Sequence, residues 1–152
     1  ANILVENQFG ELVVNTKQAE LLLVPTAKSH DDPGVPELDS SLVDHYKCYK
    51  VEIDNDAPIQ FIPIQVTLFD PNFGAEKLFD VIKPKMLCNP VDKNGEGIKN
   101  HSNHLMCYDV VPADGYDKNK KKSVFTNNQF GPEKLDVSRE KQMCVPSMTT
   151  LP

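Results

Sequence analysis

Apolar residues recur at every second position over short stretches of this chain, and each stretch is bounded by Pro, Gly, Asn or Asp. In FIPIQVTLFD the alternation places Ile64, Val66 and Leu68 on one face of a strand, and Pro63 marks that strand as an edge strand or a bulge. HYKCYKVEI, residues 45–53, alternates in the same way. No long segment follows a helical period, and the twelve prolines argue against long helices. The pattern therefore predicts an all-β, β-sandwich-like fold or a related barrel.

One turn sequence is repeated along the chain. Asn-Gln-Phe-Gly occurs at residues 7–10 and 128–131, and a shorter copy, Asn-Phe-Gly, occurs at 72–74. Each copy stands between apolar runs, and its glycine can supply the positive φ that tight hairpin turns need. A proline follows each glycine at a nearly constant distance. The residue two places before that proline is, in chain order, Leu23, Cys88 and Cys144. We call this repeated hairpin with its proline the tail block.

A second pattern, His-x-x-Cys-Tyr-x-Val, begins at His45 and again at His104, and we call it the head block. Each head block precedes one tail block, so the chain contains two full repeats. The first tail block has no head block before it and forms a half-repeat. The predicted organisation is a half-repeat, a Pro-, Gly- and Asp-rich linker, a first full repeat, a polar connector and a second full repeat: 1–29, 30–43, 44–91, 92–102 and 103–152.

The four cysteines allow three disulfide connectivities, and the repeat favours one of them. Pairing within each full repeat joins Cys48 to Cys88 and Cys107 to Cys144. The half-repeat lacks a head block and carries Leu23 where the other tail blocks carry cysteine, so no thiol is left over. Each bond is expected to stabilise the fold by roughly 3–4 kcal/mol through loop closure. Disulfides indicate an oxidising compartment, so we expect an extracellular or cell-surface location.

No enzyme is predicted, because the chain lacks the motifs of nucleophilic, metal-dependent and nucleotide-dependent catalysis. His101 and His104 could ligate a metal, but His104 is a repeat position matched by His45, which favours a role in the fold. Zinc is the alternative use of the cysteines. It is disfavoured because Cys-x-x-Cys spacing is absent and the head-block histidines lie on the opposite strand face from the cysteines.

No cofactor is predicted apart from a candidate calcium loop in the connector. Asp92, Asn94 and Glu96 occupy the first, third and fifth positions of such a loop, and Gly97 occupies the sharp turn at the sixth. Alternate oxygen ligands around a glycine turn suit a hard cation. The match departs at the fifth position, where Asp is usual, and at the twelfth, which is Asn103 instead of a bidentate glutamate. A polar, Gly-rich connector explains the same composition.

The net charge of −6 argues against nucleic acid as a partner. We interpret the one basic cluster, residues 118–122, as a solvated loop. No apolar run approaches the roughly 18 residues that a membrane-spanning helix needs. The chain begins at Ala1 without a signal peptide, as expected of a mature product whose leader has been removed or of a shortened chain.

The segments DHYKCYKV, FGAEKLFDVIKPKMLCNPVDKNGEG, HLMCYDV and NQFGPEKLDVSREKQMCVPS together resemble a tandem domain of unknown function. That domain is found in secreted and surface proteins of environmental bacteria. The resemblance implies an extracytoplasmic β-domain with paired cysteines. It implies no catalytic residues.

The half-repeat suggests a function. It is the most apolar part of the chain, and it completes either the sheet of its own chain or that of a neighbour. Addition to a neighbour would run head to tail and build a filament, so the chain is predicted to be a secreted structural subunit. Six apolar side chains are the candidates for this self-assembly: Ile3, Val5, Phe9, Val13, Leu21 and Leu23. The alternative is a monomeric surface module, cut from a longer repeat array, that binds a glycan or a protein.

Overall fold

The computed structural model describes residues 2–30, 36–39, 42–70, 74, 76–116 and 122–151. Asn72 and Phe73 of the third turn copy, most of the basic cluster and part of the linker lie outside the described residues. The described residues form ten strands and no helix, which confirms the predicted all-β fold. The strands are β1 Asn2–Asn7, β2 Gly10–Leu23, β3 Ala27–Ser29, β4 His45–Ile53, β5 Ile64–Leu68, β6 Lys77–Val91, β7 His104–Pro112, β8 Lys122–Asn128, β9 Gly131–Val137 and β10 Gln142–Thr150.

Six of the strands close into an antiparallel barrel. The larger sheet has the order β4-β2-β1-β10-β7-β6-β5, and a further pairing of β4 with β6 joins its ends. Strand β5 extends the wall by pairing with the first part of β6. A second sheet, β3-β8-β9, is linked to the barrel where His45 Nε2–H donates to Gln129 Oε1 over 3.2 Å. The predicted β-sandwich-like, all-β fold therefore has two sheets, and the larger sheet closes on itself.

All six barrel strands contribute side chains to the interior. The buried interior residues are Val5, Leu12, Val14, Val51, Phe79, Val81, Leu87, Met106, Tyr108, Val110 and Val145. A second buried cluster occupies the opposite face of β4, β6 and β7, where Cys48, Cys88 and Cys107 pack with Tyr46 and Met86. Because successive side chains of a strand point to opposite faces, both clusters come from the same alternating sequences.

The internal repeat is visible in the strand register. Leu23 lies opposite Tyr46 between β2 and β4, and Cys88 lies opposite Leu105 between β6 and β7. These are equivalent positions of tail and head blocks. Each head strand is therefore flanked by two tail strands, its own and that of the preceding repeat. The half-repeat supplies the tail strand β2 that the first head strand needs.

The two Asn-Gln-Phe-Gly turns have the same geometry but different surroundings. In each turn the Asn side-chain oxygen accepts the backbone N–H of the Phe over 2.9 Å, and the glycine has φ near 100° (Gly10 101°, Gly131 104°). Phe9 packs edge-on against Tyr108, with ring centroids 5.2 Å apart, and seals the barrel interior. Phe130 is 73% exposed. The repeated motif therefore specifies the turn and not the burial of its aromatic ring.

These two turns provide a matched test. Phe9→Ala is expected to lower the free energy of unfolding by about 2–3 kcal/mol, because it removes a partly buried ring from the end of the core. Phe130→Ala is expected to change it by less than about 0.5 kcal/mol, since the ring is exposed. Urea denaturation of both variants measures the difference. Equal effects would contradict the assigned role of Phe9.

Candidate functional site

The candidate site is the closing seam, where the N-terminal hairpin of β1 and β2 completes the barrel. On one side β2 pairs with β4 from Val14 to Leu23. On the other side β1 meets the end of β10 along only three residues of each strand, Leu4–Glu6 against Met148–Thr150. The other ladders of the barrel are longer. The seam between β1 and β10 is therefore the least paired part of the barrel wall.

The six candidate self-assembly residues lie on this hairpin, but they do not form one surface. Val5 is fully buried in the barrel of its own chain, and Ile3 and Phe9 pack against the same interior. Val13 has the opposite orientation from its buried neighbours Leu12 and Val14. The run Leu-Val-Val is apolar at three successive positions, so alternation alone did not identify which of them face inward. Leu21 and Leu23 lie opposite Cys48 and Tyr46 of β4.

A polar clamp fixes the end of the hairpin to the opposite wall. Asn7 Nδ2 donates to the Tyr108 hydroxyl over 2.8 Å and to Ser147 Oγ over 3.1 Å. Burial raises the pKa of Tyr108 above its ordinary value, and the hydrogen bond from Asn7 partly offsets this shift. One asparagine of the repeated turn thus joins the hairpin to both β7 and β10. Sequence reasoning assigned Asn7 to the turn and missed this second role.

The two disulfides lie on the outer face of the barrel wall. Cys48 is bonded to Cys88 between β4 and β6, and Cys107 is bonded to Cys144 between β7 and β10. This is the pairing that the repeat favours. The Sγ atoms of Cys88 and Cys107 are 3.8 Å apart, so the two bonds form one row across four adjacent strands. Neither bond includes β1 or β2, and the hairpin is held to the barrel by non-covalent contacts.

The connector is folded against the first head block. The buried Asp44 carboxylate accepts the backbone N–H groups of Lys99 over 2.7 Å and Asn100 over 2.9 Å. Asn103 Nδ2 donates to the Tyr46 hydroxyl over 3.0 Å. Burial and the nearby Asp44 charge raise the pKa of Tyr46. These contacts give the acidic residue before the head block a structural role that the sequence pattern did not reveal.

Two of the three candidate calcium residues, Asp92 and Glu96, make contacts within the connector. Asp92 Oδ1 accepts the backbone N–H of Gly97 over 3.0 Å, and Asn94 adopts the left-handed conformation with φ 55°. Glu96 pairs with Lys93 Nζ over 2.6 Å, and this hydrogen bond lowers the pKa of its carboxyl. Among the described residues no group of three or more His, Cys, Asp or Glu side chains is placed to hold a metal. Calcium binding at this loop stays a prediction.

The head-block histidines make hydrogen bonds within the protein. Besides its bond to Gln129, His45 has Nδ1 3.6 Å from Glu96 Oε2. His104 Nδ1 lies 2.9 Å from Asn89 Oδ1. Burial lowers the pKa of His104, which favours its neutral form. These contacts join each histidine to a neighbouring part of the fold, and the role of both residues in the fold stays a prediction.

A shallow groove with a mixed polar and apolar lining lies beside the closing seam, between the connector and β10. It has a volume of about 430 Å³, and its lining includes Asn7, Asn103, Ser147 and Met148. The side chains of Asn7, Asn103 and Ser147 also make hydrogen bonds within the protein.

The described residues include no helix that could span a membrane.

Comparison with known proteins gives one family match. The family described as a repeat of unknown function (DUF7450) matches residues 1–146. No curated protein and no solved structure matches the chain. The family match covers the half-repeat and nearly all of both full repeats, which are the parts that form the barrel.

Proposed function

We propose, from the premise that the chain belongs to the family described as a repeat of unknown function (DUF7450), that it serves as a self-contained structural module of an extracellular protein. The family match extends from the N-terminal hairpin into β10. The repeating unit of such a protein would then be the whole barrel and not the shorter head and tail repeat. Modules of this kind act as rigid spacers and present their surfaces to ligands.

Closure of the barrel within one chain is the observation that carries this proposal. The hairpin pairs with β4 and with β10, so both open ends of the remaining wall are covered. Two disulfides support the same wall, and they are consistent with an oxidising compartment. In this proposal a ligand such as a surface glycan would bind in the groove beside β10, where the polar side chains of Asn100 and Ser102 lie near the apolar surface of Pro146 and Met148.

Light scattering and thermal unfolding of the oxidised chain test the module. At low protein concentration we expect the mass of one chain and one cooperative transition, since a closed single core unfolds as a unit. Large oligomers at every concentration, or several separate transitions, would show that the chain does not fold as an independent module.

A second candidate function is head-to-tail assembly by exchange of the N-terminal hairpin. Two observations favour it. The hairpin lies outside both disulfides, and its seam with β10 is only three residues long. A linker also separates β2 from β4, so the hairpin of one copy could close the barrel of the next copy. Repetition of this exchange would build the secreted filament that the half-repeat suggested.

A disulfide across the seam tests the exchange. Glu6 and Met148 are paired across it and both are exposed, so Glu6→Cys with Met148→Cys, oxidised in dilute monomer before assembly, should lock the hairpin in its own barrel. We expect filaments from the unlocked chain under negative-stain microscopy and none from the locked one. Glu6→Ser with Met148→Ser controls for loss of the native side chains. Filaments from the locked chain would rule out hairpin exchange.

A further inference from the structure

Strand β5 presents an open edge on the barrel. Its residues Ile64–Leu68 pair with Lys77–Val81 of β6. No strand in the described ranges pairs with the other edge of β5. The backbone N–H and C=O groups along an unpaired edge can form hydrogen bonds with a strand of another molecule.

The internal repeat indicates that the second edge of β5 is suited to pairing with another strand. Strands β1, β5 and β8 are equivalent, because each directly precedes one Phe-Gly turn. The second edge of β1 is paired with β10, and the second edge of β8 is paired with β3. Two of the three equivalent strands thus have a partner on both sides within the chain. By the same pattern, β5 would have a second strand partner, which the described ranges do not supply.

The residues of β5 are suited to an intermolecular pairing. Edge strands that avoid association usually carry charged side chains, and Ile64-Gln65-Val66-Thr67-Leu68 carries none. The strand is also flanked by exposed apolar side chains, with Ile62 74% and Phe69 63% exposed. Side chains of this size cost free energy in water, and an adjacent strand would cover part of them.

The order of side chains points to a second copy of β5 as the partner. The strand reads apolar, polar, apolar, polar, apolar, so it has the same pattern in both directions. In an antiparallel pair centred on Val66, Ile64 would face Leu68 of the other copy, and Gln65 would face Thr67. Apolar residues then meet apolar residues on the face that packs towards the barrel, where Val66 already contacts the core.

We propose that two copies of this module associate through antiparallel pairing of their β5 strands about a two-fold axis at Val66. The contact joins the two barrel walls into one continuous sheet. It is an isologous contact, so it forms a closed pair and does not propagate. It does not use the N-terminal hairpin, and it is therefore independent of hairpin exchange.

Charge substitutions on the exposed face of β5 test both the contact and its register. Gln65→Lys with Thr67→Lys places like charges opposite each other twice, and we expect the dimer dissociation constant to rise about tenfold or more. Gln65→Lys with Thr67→Glu places opposite charges at the same two positions. This matched variant should retain a dimer with a dissociation constant close to that of the unmodified chain. Sedimentation equilibrium over a wide range of concentrations gives all three constants.

The outcomes separate the proposal from other forms of association. Both double variants should keep the circular dichroism spectrum of the parent, since residues 65 and 67 are exposed. Their melting temperatures should agree with each other, because both variants replace the Gln65 side chain that donates to Asp80 Oδ1 over 2.8 Å. An unmodified chain that stays monomeric at every concentration overturns the proposal. A dimer that is equally strong in the like-charge and the opposite-charge double variant also overturns it, because the contact must then lie elsewhere.

Discussion

A chain that lacks residues 1–24 is expected to lose cooperative folding. The deletion removes β1 and β2 and with them the fully or nearly fully buried Val5, Leu12 and Val14. Burial of each such side chain contributes roughly 1.5–3 kcal/mol, and a domain of this size is stable by only about 5–15 kcal/mol. The deletion also leaves one edge of β4 and one edge of β10 unpaired, while β4 still pairs with β6 and β10 with β7. Near-ultraviolet circular dichroism and thermal unfolding should show the loss of fixed side-chain packing.

Adding the missing hairpin as a separate peptide should restore the fold. A peptide of residues 1–24 can supply the same two ladders in trans, because no disulfide connects it to the rest of the barrel. Val14→Asp in this peptide should abolish the rescue, since it places a carboxylate in the interior. Glu11→Gln is the matched control at an exposed position and should rescue fully. Cooperative unfolding of the truncated chain alone would contradict the role of the hairpin.

Removal of either disulfide is expected to lower the free energy of unfolding by about 3–4 kcal/mol. The two bonds join residues 40 and 37 positions apart, so loop-closure entropy predicts similar effects for both. The variants are Cys48→Ala with Cys88→Ala, and Cys107→Ala with Cys144→Ala. Removal of both bonds should leave the chain largely unfolded near 37 °C, because the combined loss approaches the whole stability of a small domain.

Urea denaturation of the oxidised variants measures these losses. The matched control is the chain without cysteines, whose urea denaturation curve should be the same with and without a reductant. The parent chain should lose stability under the same reductant. An unchanged midpoint for both single-disulfide variants would show that the strand ladders alone hold the wall.

Several features were predictable because they depend on short-range patterns or on the repeat itself. Alternation over five to nine residues identified strands such as β4 and β5, since side-chain direction follows position along a strand. Because the half-repeat carries Leu23 in place of the tail cysteine, the repeat favoured the cysteine pairs that are bonded in the structure. Both features follow from the sequence alone, without knowledge of which distant residues are in contact.

The surroundings of the candidate self-assembly and metal residues were less predictable. Alternation could not separate Val13 from the inward-facing Leu12 and Val14, because a continuous apolar run carries no period. The spacing of the connector predicted a calcium loop, which stays a prediction, and it did not reveal the contacts of Lys93 Nζ and the Gly97 N–H with the carboxylates of Glu96 and Asp92. The spacing of the residues shows which oxygen ligands the connector contains, but nearby hydrogen-bond donors affect the orientation of those ligands.

By itself, the sequence determined the all-β class, the three tail blocks, the two head blocks and the partner of each cysteine. Only the tertiary structure decided that the half-repeat closes a barrel with β10 and that Phe9 is covered while Phe130 is exposed. It also decided that β5 has a strand partner on one edge alone within the described ranges. Strand pairing depends on which strand edges meet after the whole sheet has twisted and curled. Short motifs of identical sequence do not determine which edges meet. Local sequence patterns therefore specified the individual strands and turns, and the long-range geometry of the sheet specified which strands pair.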